Sequence, residues 1–361
     1  MMEYSLWDKG CILLSVTSNL GVSRRQKLMD AFSLDELYLH VEDWQEELVE
    51  LLDEDHYARL LAARKEDFVG KELEALDKMG AVALSWGGER YPQCLNDLPQ
   101  PPVVLYAQGN LSLLDTRTLA VVGTRNITRY GRDVTQNFVA DLVTNGFCIV
   151  SGMARGVDSV AHRTALSYDK PTIGVLPCGL DKVYPAENKD LYDQMRDKAL
   201  LVSEYPLGTH VQQFTFVERN RIIAALSLGV LVTEAGDKSG ACLTVGHALE
   251  IGRDVFVVPG NIYSKASIGA NKLIKDMQGA IVTSSYDILE VYHLALEQPP
   301  VTDMQLDIVE SQILEALQEG DKHIEELIRL TGLNVSDLGP VLTKLELIGL
   351  LHKVAGNYYG I

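Results

Sequence analysis

Residues 147–162 read FCIVSGMARGVDSVAH, and this stretch changes character twice within 16 positions. Its apolar start shows no alternation, which predicts a strand buried on both faces, as in a parallel sheet. Its end has apolar residues at three- and four-residue spacing, which predicts a helix. Between them lies a turn with Gly152, Gly156 and a single cation, Arg155. Glycine lets an anion approach the backbone and a helix N-terminus attracts it, so the turn suits a phosphate.

The same pattern recurs along residues 115–296, where helix-like stretches alternate with most of the short apolar runs. The other runs are TLAVVG (118–123), PTIGVLP (171–177), LLVSEY (200–205), GVLVTEA (229–235), DVFVVPG (254–260) and GAIVTS (279–284). Buried strands separated by helices predict an α/β fold with a doubly wound, Rossmann-like parallel sheet. In such a sheet the ligand crevice lies beyond the carboxyl ends of the strands, where the glycine turns fall.

The segments on either side of this domain are of different kinds. Residues 1–80 have helical spacing throughout and predict a small helical domain. Residues 81–114 are rich in proline and glycine and predict a connector with one extended piece, VVLYAQG. Residues 297–305 predict a linker. Residues 304–361 predict three helices and a hairpin, which is a winged helix, with Pro340 in the first turn of its helix.

Composition bounds the class of protein. The chain has 361 residues, 47% of them hydrophobic. It lacks an apolar run of about 18 residues and a basic start typical of a secretory signal, so we expect a cytoplasmic protein without a membrane segment. The cysteines never form a C-x-x-C pair, which predicts reduced, mostly buried thiols rather than disulfides or a metal site. These cysteines are Cys11, Cys94, Cys148, Cys178 and Cys242.

The formal net charge of −18 is unevenly distributed. Residues 1–100 carry a net charge of −10 and residues 291–361 carry −7, whereas residues 101–290 carry only −1. Most of the arginines lie in this nearly neutral middle. The overall acidity therefore does not exclude a polyanionic ligand; it indicates where such a ligand would bind.

Further turns in the middle of the chain resemble the one at Arg155. They are VVGTRNITRYGR (121–132) with Gly123 and Arg125, FTFVERNRIIAALS (214–227) with Phe216, Arg219, Asn220 and Arg221, EAGDKSGACLT (234–244) with Lys238, Ser239, Gly240 and Thr244, and PGNIYSKASIGANKLI (259–274) with Asn261 and Lys265. Arginine binds phosphate with a planar fork, and an aromatic ring offers a face to a base. Together these turns predict a row of phosphate sites along one sheet edge, which favours single-stranded nucleic acid as the ligand.

Structural roles for the same residues remain open at this point. Arg125 could pair with a carboxylate, and Glu218 could neutralise Arg219 or Arg221. Asp158 is interpreted as a local cap, and His162 as a buried packing or orienting residue.

No group able to perform catalysis stands out in these motifs. The chain has no G-x-S-x-G elbow, no G-x-x-x-x-G-K-[ST] loop and no G-x-G-x-x-G fingerprint. We therefore predict a binding surface with no catalytic residue, no metal and no cofactor.

A family resemblance rests on motifs that follow one another along residues 85–290. They are YPQCLNDLPQPPVVLYAQGN, AVVGTRNITRYG, IVSGMARGVDSVAH, GVLPCGLDKVYPAENK, FVERNRIIAALS, KSGACLT and VPGNIYSKASIGANKLI. With these motifs the chain resembles the DNA-processing protein A family (DprA, also called Smf) of bacterial transformation and recombination. The resemblance implies an extended Rossmann-like domain that binds single-stranded DNA without catalysis, forms a homodimer and loads the RecA recombinase.

The resemblance and the turns together give the predicted DNA-binding residues. They are Gly123, Arg125, Gly152, Arg155, Gly156, Lys189, Phe216, Arg219, Asn220, Arg221, Lys238, Ser239, Gly240, Thr244, Asn261 and Lys265. Phe216 is expected beside a base. The sequence departs from the family pattern at Val217-Glu218, where a proline and a second basic residue are frequent, and at Ala241, where a serine is frequent.

Two other functions fit parts of the sequence. A phosphoribohydrolase on a related fold would carry a P-G-G-x-G-T turn followed by an acid, whereas this chain has PGNIYS. A transcription regulator would use the winged helix on duplex DNA, but that segment is acidic, and Asp337 and Glu346 accompany Lys344 on its presumed recognition helix. We expect the winged helix to contact another protein or to have a regulatory role. The helical N-terminus resembles the SAM-like or helix-hairpin-helix modules of the family.

Overall fold

The structure is a computed structural model that describes residues 3–294, 308–318, 320–347, 350–354 and 356–360. The chain forms two compact units, Met1–Glu297 and Gln298–Ile361. The predicted linker at 297–305 lies outside the described residues. Within the described ranges, no helix combines the length and apolar character needed to cross a membrane.

The first unit begins with helices, as its sequence periodicity predicts. They are α1 (Leu6–Val16), α2 (Val22–Ala31), α3 (Leu34–His40), α4 (Gln45–Leu52), α5 (Glu54–Lys65) and α6 (Phe68–Lys78). Ser5 and Asp8 form a reciprocal capping box that fixes the start of α1. Asp53 and Asp67 cap α5 and α6 with their side chains.

Strands and helices alternate through the rest of this unit. They are β1 (Ala81–Ser85), β2 (Val104–Gly109), β3 (Thr118–Gly123), α7 (Arg129–Thr144), β4 (Cys148–Ser151), α8 (Val157–Ser167), β5 (Thr172–Leu176), α9 (Lys189–Lys198), β6 (Leu200–Ser203), α10 (Gln213–Ala225), β7 (Gly229–Glu234), α11 (Ala241–Glu250), β8 (Asp254–Val257), α12 (Ile268–Lys275), β9 (Ala280–Ile281) and α13 (Ser285–Val291). In the described residues the strands form one sheet in the order β1-β2-β6-β5-β4-β3-β7-β8-β9.

Strands β3 to β9 pair in parallel, which confirms the predicted doubly wound sheet. Successive side chains of a strand point to opposite faces. Leu119 and Val121 of β3 accordingly share a core with α7 and α8, whereas Ala120 and Val122 share one with α10 and α11. Because both faces are covered by helices, the strands read as continuous apolar runs.

The segment at 81–114 is more than the predicted connector, because it contributes β1 and β2 to the sheet. Both pair antiparallel, β1 with β2 and β2 with β6. Tyr106 of β2 is fully buried in one core cluster with Leu13 of α1 and Leu201 of β6. The predicted boundary at residue 80 therefore does not separate two compact units, since the N-terminal helices and the sheet share this core.

The order of the strands creates a switch point. From β3 the chain adds β4, β5 and β6 on one side, then returns to place β7 on the other side of β3. The loops after β3 and β7 lead away in opposite directions, so a crevice opens between them at the carboxyl ends of the strands.

The cysteines Cys11, Cys94, Cys148, Cys178 and Cys242 are free thiols in the structure. Cys11, Cys148 and Cys178 are buried. Burial raises the pKa of the Cys178 thiol to about 11, so this side chain stays protonated and unreactive near neutral pH.

The second unit is a winged helix. Its described elements are α14 (Ile308–Gln318), β10 (Lys322–His323), α15 (Ile324–Thr331), α16 (Val335–Leu347), β11 (His352–Val354) and β12 (Tyr358–Gly360). β12 pairs with both β10 and β11, and Leu327, Leu342 and Tyr359 belong to its core. Since α16 begins at Val335, Pro340 lies in the second turn of the helix rather than in the predicted first turn.

The shared core of the first unit can be tested at Tyr106. Its Oη donates a 2.9 Å hydrogen bond to Oγ of Ser15 in α1. We expect Tyr106→Phe to lower the free energy of unfolding by about 1 kcal/mol, because the buried Ser15 hydroxyl loses this donor. The unfolding transitions followed by Trp44 fluorescence and by far-ultraviolet circular dichroism should move together to lower denaturant concentration. Tyr263→Phe, at an exposed side chain, should shift neither. A loss seen by one probe alone would contradict a shared core.

Candidate nucleic-acid interface

A cleft of about 550 Å³ opens at the switch point between β3 and β7. Its walls are the turn after β3, the first turns of α10 and the residues around the start of α11. The predicted site residues that line it are Gly123, Arg125, Phe216, Arg219, Asn220, Lys238, Ser239, Gly240 and Thr244. The fold therefore brings together three of the predicted turns, although they are more than 100 residues apart at the extremes.

Arg125 and Phe216 face each other across this cleft. Cζ of Arg125 lies 4.7 Å from the centroid of the Phe216 ring, a cation–π arrangement. The edge of Tyr184 meets the same ring at a centroid distance of 5.6 Å. Arg125 is exposed, and among the described residues no carboxylate forms an ion pair with it. Its guanidinium thus keeps its hydrogen-bond donors available to a ligand.

The wall opposite Arg125 is the turn that leads into α11. Lys238 is exposed there, and Gly240 occupies the N-cap position without a capping side chain. Nδ2 of Asn220 donates to the Gly240 carbonyl at 3.5 Å, which ties this turn to α10. A cation beside the positive end of a helix makes this wall attractive to an anion.

Arg219 lies beneath the cleft and serves the scaffold. Its side chain is buried, and Nη1 donates to the carbonyl oxygens of Gly152 and Val175 at 2.5 and 2.6 Å. Nε donates to Oδ1 of Asn220 at 3.2 Å. Burial lowers the pKa of Arg219, and the nearby Asp158 opposes that shift. Arg219 therefore joins α10 to the ends of β4 and β5 rather than presenting its fork to a phosphate.

Gly152 is required by this arrangement. A Cβ at this position would lie 2.2 Å from Nη1 of Arg219, which is far inside contact distance. The Gly152 of the opening motif thus makes room for a buried guanidinium. Gly156 of the same motif has a φ of +76°, a backbone conformation that favours glycine.

Asp158 and His162 have the local roles that the sequence predicts for them. Oδ2 of Asp158 accepts hydrogen bonds from the backbone N–H groups of Gly152 and Ala154, at 3.2 and 3.3 Å. Nδ1 of His162 lies 2.7 Å from Oγ1 of Thr172. Burial lowers the pKa of His162 to about 3, so the buried ring is neutral at physiological pH.

Arg221 lies outside the cleft, which removes it from the predicted phosphate contacts. Its Nη2 forms a buried ion pair with Glu204 at 2.5 Å, and its Nη1 donates to the Gln100 carbonyl at 2.7 Å. Glu218 does not neutralise either arginine, since its carboxylate accepts a 2.6 Å hydrogen bond from Oη of Tyr205. The partner of Arg221 is Glu204, whose position at the end of β6 was not singled out by the sequence.

The remaining predicted residues lie outside the cleft lining. Arg155 pairs with Glu187 at 2.5 Å and Lys189 with Asp193 at 3.0 Å, in both cases between exposed side chains. Exposed pairs of this kind contribute little and can exchange partners, so these cations stay predicted DNA contacts. Asn261 and Lys265 are exposed on the loop after β8 and also stay predictions.

One residue that shapes the cleft was missed because the sequence reading concentrated on cations. Glu234, at the end of β7, is buried and accepts hydrogen bonds from the backbone N–H and Oγ1 of Thr128, at 2.8 and 2.6 Å. It thereby holds the start of α7 and the turn that carries Arg125 against β7. A carboxylate at the end of an apolar strand, as in GVLVTEA, was the available signal. In the described ranges no group of histidine, cysteine or acidic residues has the arrangement of a metal site.

Family models match most of the chain. The model for DNA recombination-mediator protein A matches residues 83–293, and the model for the DprA winged helix domain matches residues 297–357. The DNA processing protein DprA of Bacillus subtilis (strain 168) is 40% identical over 220 residues, which cover 60% of this chain and 73% of that protein. Protein Smf of Escherichia coli (strain K12) is 36% identical over 283 residues, 75% of each chain.

Solved structures agree with these matches. The X-ray structure of DNA processing protein A from Streptococcus pneumoniae superposes with a TM-score of 0.67 at 32% identity, covering 80% of this chain and 98% of that chain. A structure that concerns the single-stranded DNA binding mode of DNA processing protein A from Helicobacter pylori gives a TM-score of 0.54 at 32% identity. It covers 59% of this chain and 95% of that chain.

The buried arginine can be tested through Gly152. We expect Gly152→Ala to lower the free energy of unfolding by about 1–3 kcal/mol, because the new methyl group collides with Arg219. Gly246→Ala is the matched control, since Gly246 lies in α11 and nothing stands within 4 Å of its added Cβ. That change should raise stability by about 0.5–1 kcal/mol through helix propensity. Chemical denaturation measures both, and equal effects of the two changes would refute the role given to Arg219.

Proposed function

The chain belongs to the DNA recombination-mediator protein A family, and we propose that it binds single-stranded DNA in the cleft between β3 and β7. The observation that carries this proposal is the meeting of exposed Arg125 and Lys238 with half-buried Phe216 at the switch point. Cations that track a backbone and an aromatic ring that stacks on bases are the two requirements of single-strand binding.

Each part of the cleft has a distinct role in the proposed complex. Arg125 binds one phosphate with its fork, and Lys238 neutralises another beside the start of α11. Ser239, Gly240 and Asn220 shape the turn on which that phosphate lies. Phe216 supports a base, while Gly123 and Thr244 complete the walls. Arg155, Lys189, Asn261 and Lys265 are proposed to attract more distant parts of the strand.

We propose that the chain is a binding protein rather than an enzyme. The support is the chemistry of the cleft, whose lining contains one carboxylate among the described residues, Asp158, and that carboxylate is engaged by backbone N–H groups. Incubation with nucleoside monophosphates tests the rival phosphoribohydrolase function. Release of free bases would establish that rival.

We further propose that the protein acts as a homodimer in the cytoplasm and delivers bound DNA to RecA in recombination and transformation. Family membership supports this assignment. The winged helix is proposed to contact protein, since Lys344 is held in an ion pair with Glu310 at 2.5 Å. Sedimentation measures the oligomeric state, and RecA filament assembly on protein-coated single strands measures delivery. Monomers in solution or unaltered assembly would remove the corresponding part of the proposal.

The phosphate contacts can be counted from salt dependence. We expect Arg125→Ala and Lys238→Ala each to weaken oligothymidine binding and to reduce the slope of log K against log salt by about 0.7, the value for one phosphate of a single strand. Fluorescence anisotropy at several salt concentrations gives the slope. Lys78→Ala, at an exposed lysine at the end of α6, is the control and should leave the slope unchanged. A residue whose removal leaves the slope unaltered is not a phosphate contact.

The contact between Arg125 and Phe216 predicts that the two residues act together on DNA. One face of the ring carries the guanidinium, so a base either displaces Arg125 from Phe216 or extends the stack upon it. In both cases we expect Phe216→Leu to weaken binding less in an Arg125→Ala background than in the native protein, with a coupling of about 1 kcal/mol. Tyr168→Leu, at an exposed aromatic just after the end of α8, should show no coupling. Additive losses would mean that ring and guanidinium work independently.

A further inference from the structure

A second groove borders α10 on the side away from the cleft. It measures about 610 Å³ and lies between the turn that joins α1 to α2 and the loop after β6. Phe214 lines this groove, whereas Phe216 lines the cleft. Residues two positions apart point to roughly opposite sides of a helix, so the first turn of α10 presents one ring to each depression. Phe214 is 52% exposed, so its ring is accessible from the groove.

The groove also has a cation with unused donors. Residues 23–27 read SRRQK, a basic run within the otherwise acidic first 100 residues. Arg25 from this run lines the groove, and Nη2 makes a long hydrogen bond of 3.5 Å to the Ser15 carbonyl. Its Nε is buried and has no hydrogen-bond partner among the described residues. Arg24 and Lys27 flank it on α2, where Arg24 is 3.5 Å from Asp53.

The other walls combine neutral polar groups with apolar ones. Ser18, Asn19, Thr209 and Gln212 line the groove and can hydrogen-bond to sugars and base edges. The acid in the lining is Glu218, whose carboxylate already accepts a hydrogen bond from Tyr205. A phosphate must therefore lie toward Arg25, and a base toward Phe214.

We propose that single-stranded DNA passes from the cleft over the first turn of α10 into this groove, where Phe214 stacks on a base and Arg25 binds a phosphate. The inference rests on the proposed function of the cleft. Single-stranded DNA is the favoured occupant because the groove, like the cleft, is lined by both an arginine and an aromatic ring. The two depressions are also joined by one helix, so one strand can occupy both.

A series of oligothymidines from about 5 to about 20 nucleotides tests this path, because the shortest can occupy one depression only. We expect Arg25→Ala and Phe214→Leu each to lower the affinity for the long oligonucleotides about tenfold and to leave the affinity for the shortest unchanged. Arg25→Lys should recover part of the affinity by restoring charge. Arg125→Ala should weaken every length, which separates the cleft from the groove.

The controls are Lys78→Ala for loss of an exposed charge and Tyr168→Leu for loss of an exposed ring. Melting temperatures should stay unchanged for Phe214→Leu because its side chain faces solvent. If the Arg25 and Phe214 variants bind oligonucleotides of every length as tightly as the native protein does, the groove is not a DNA site, while the proposal for the cleft still stands. If the Arg125 variant binds every length as tightly as the native protein does, the proposal for the cleft itself is wrong. Unaltered DNA binding together with weaker recombinase binding would make the groove a protein site, which also overturns the proposal.

Discussion

The position of α10 in the interface depends on the hydrogen bonds from the buried guanidinium of Arg219 to the carbonyls of Gly152 and Val175. They connect α10 to the ends of β4 and β5, close to the switch point. Without them a buried cation would face unpaired carbonyls, which is costly in a low dielectric. With them, the first turn of α10 is held in one orientation, so that Phe216 meets Arg125.

The buried and the exposed arginines around α10 have different roles. Arg219 and Arg221 are buried and paired with carbonyls or with Glu204, so their charge stabilises the arrangement of helices and strands. Arg125 is exposed and borders the cleft. An acidic protein can accordingly bind a polyanion when a few unpaired cations are concentrated beside helix N-termini, because attraction depends on the local field more than on the total charge.

Sequence periodicity predicted the sheet correctly because β3 to β8 are largely buried on both faces and read as apolar runs. It gave β2 only as an extended piece of a connector and missed β1. The place of β2 in the sheet could not be read locally, because the pairing of β2 with β6 joins residues about 100 positions apart. The glycine turns located the cleft edge. They could not show that Arg221 turns away toward Glu204, or that Phe214 and Phe216 face different depressions, since the direction of a side chain on α10 depends on what packs against that helix.

The antiparallel pairing of β2 with β6 has a consequence for the order of folding during synthesis. The ribosome releases residues 6–109 long before β6, at Leu200–Ser203, can leave the exit tunnel. Until then the apolar side chains of α1 and β2 lack the partner strand that completes their core. The nascent N-terminal part thus cannot complete its folding until β6 is available. Chaperones that shield apolar surface are expected to bind it in that interval.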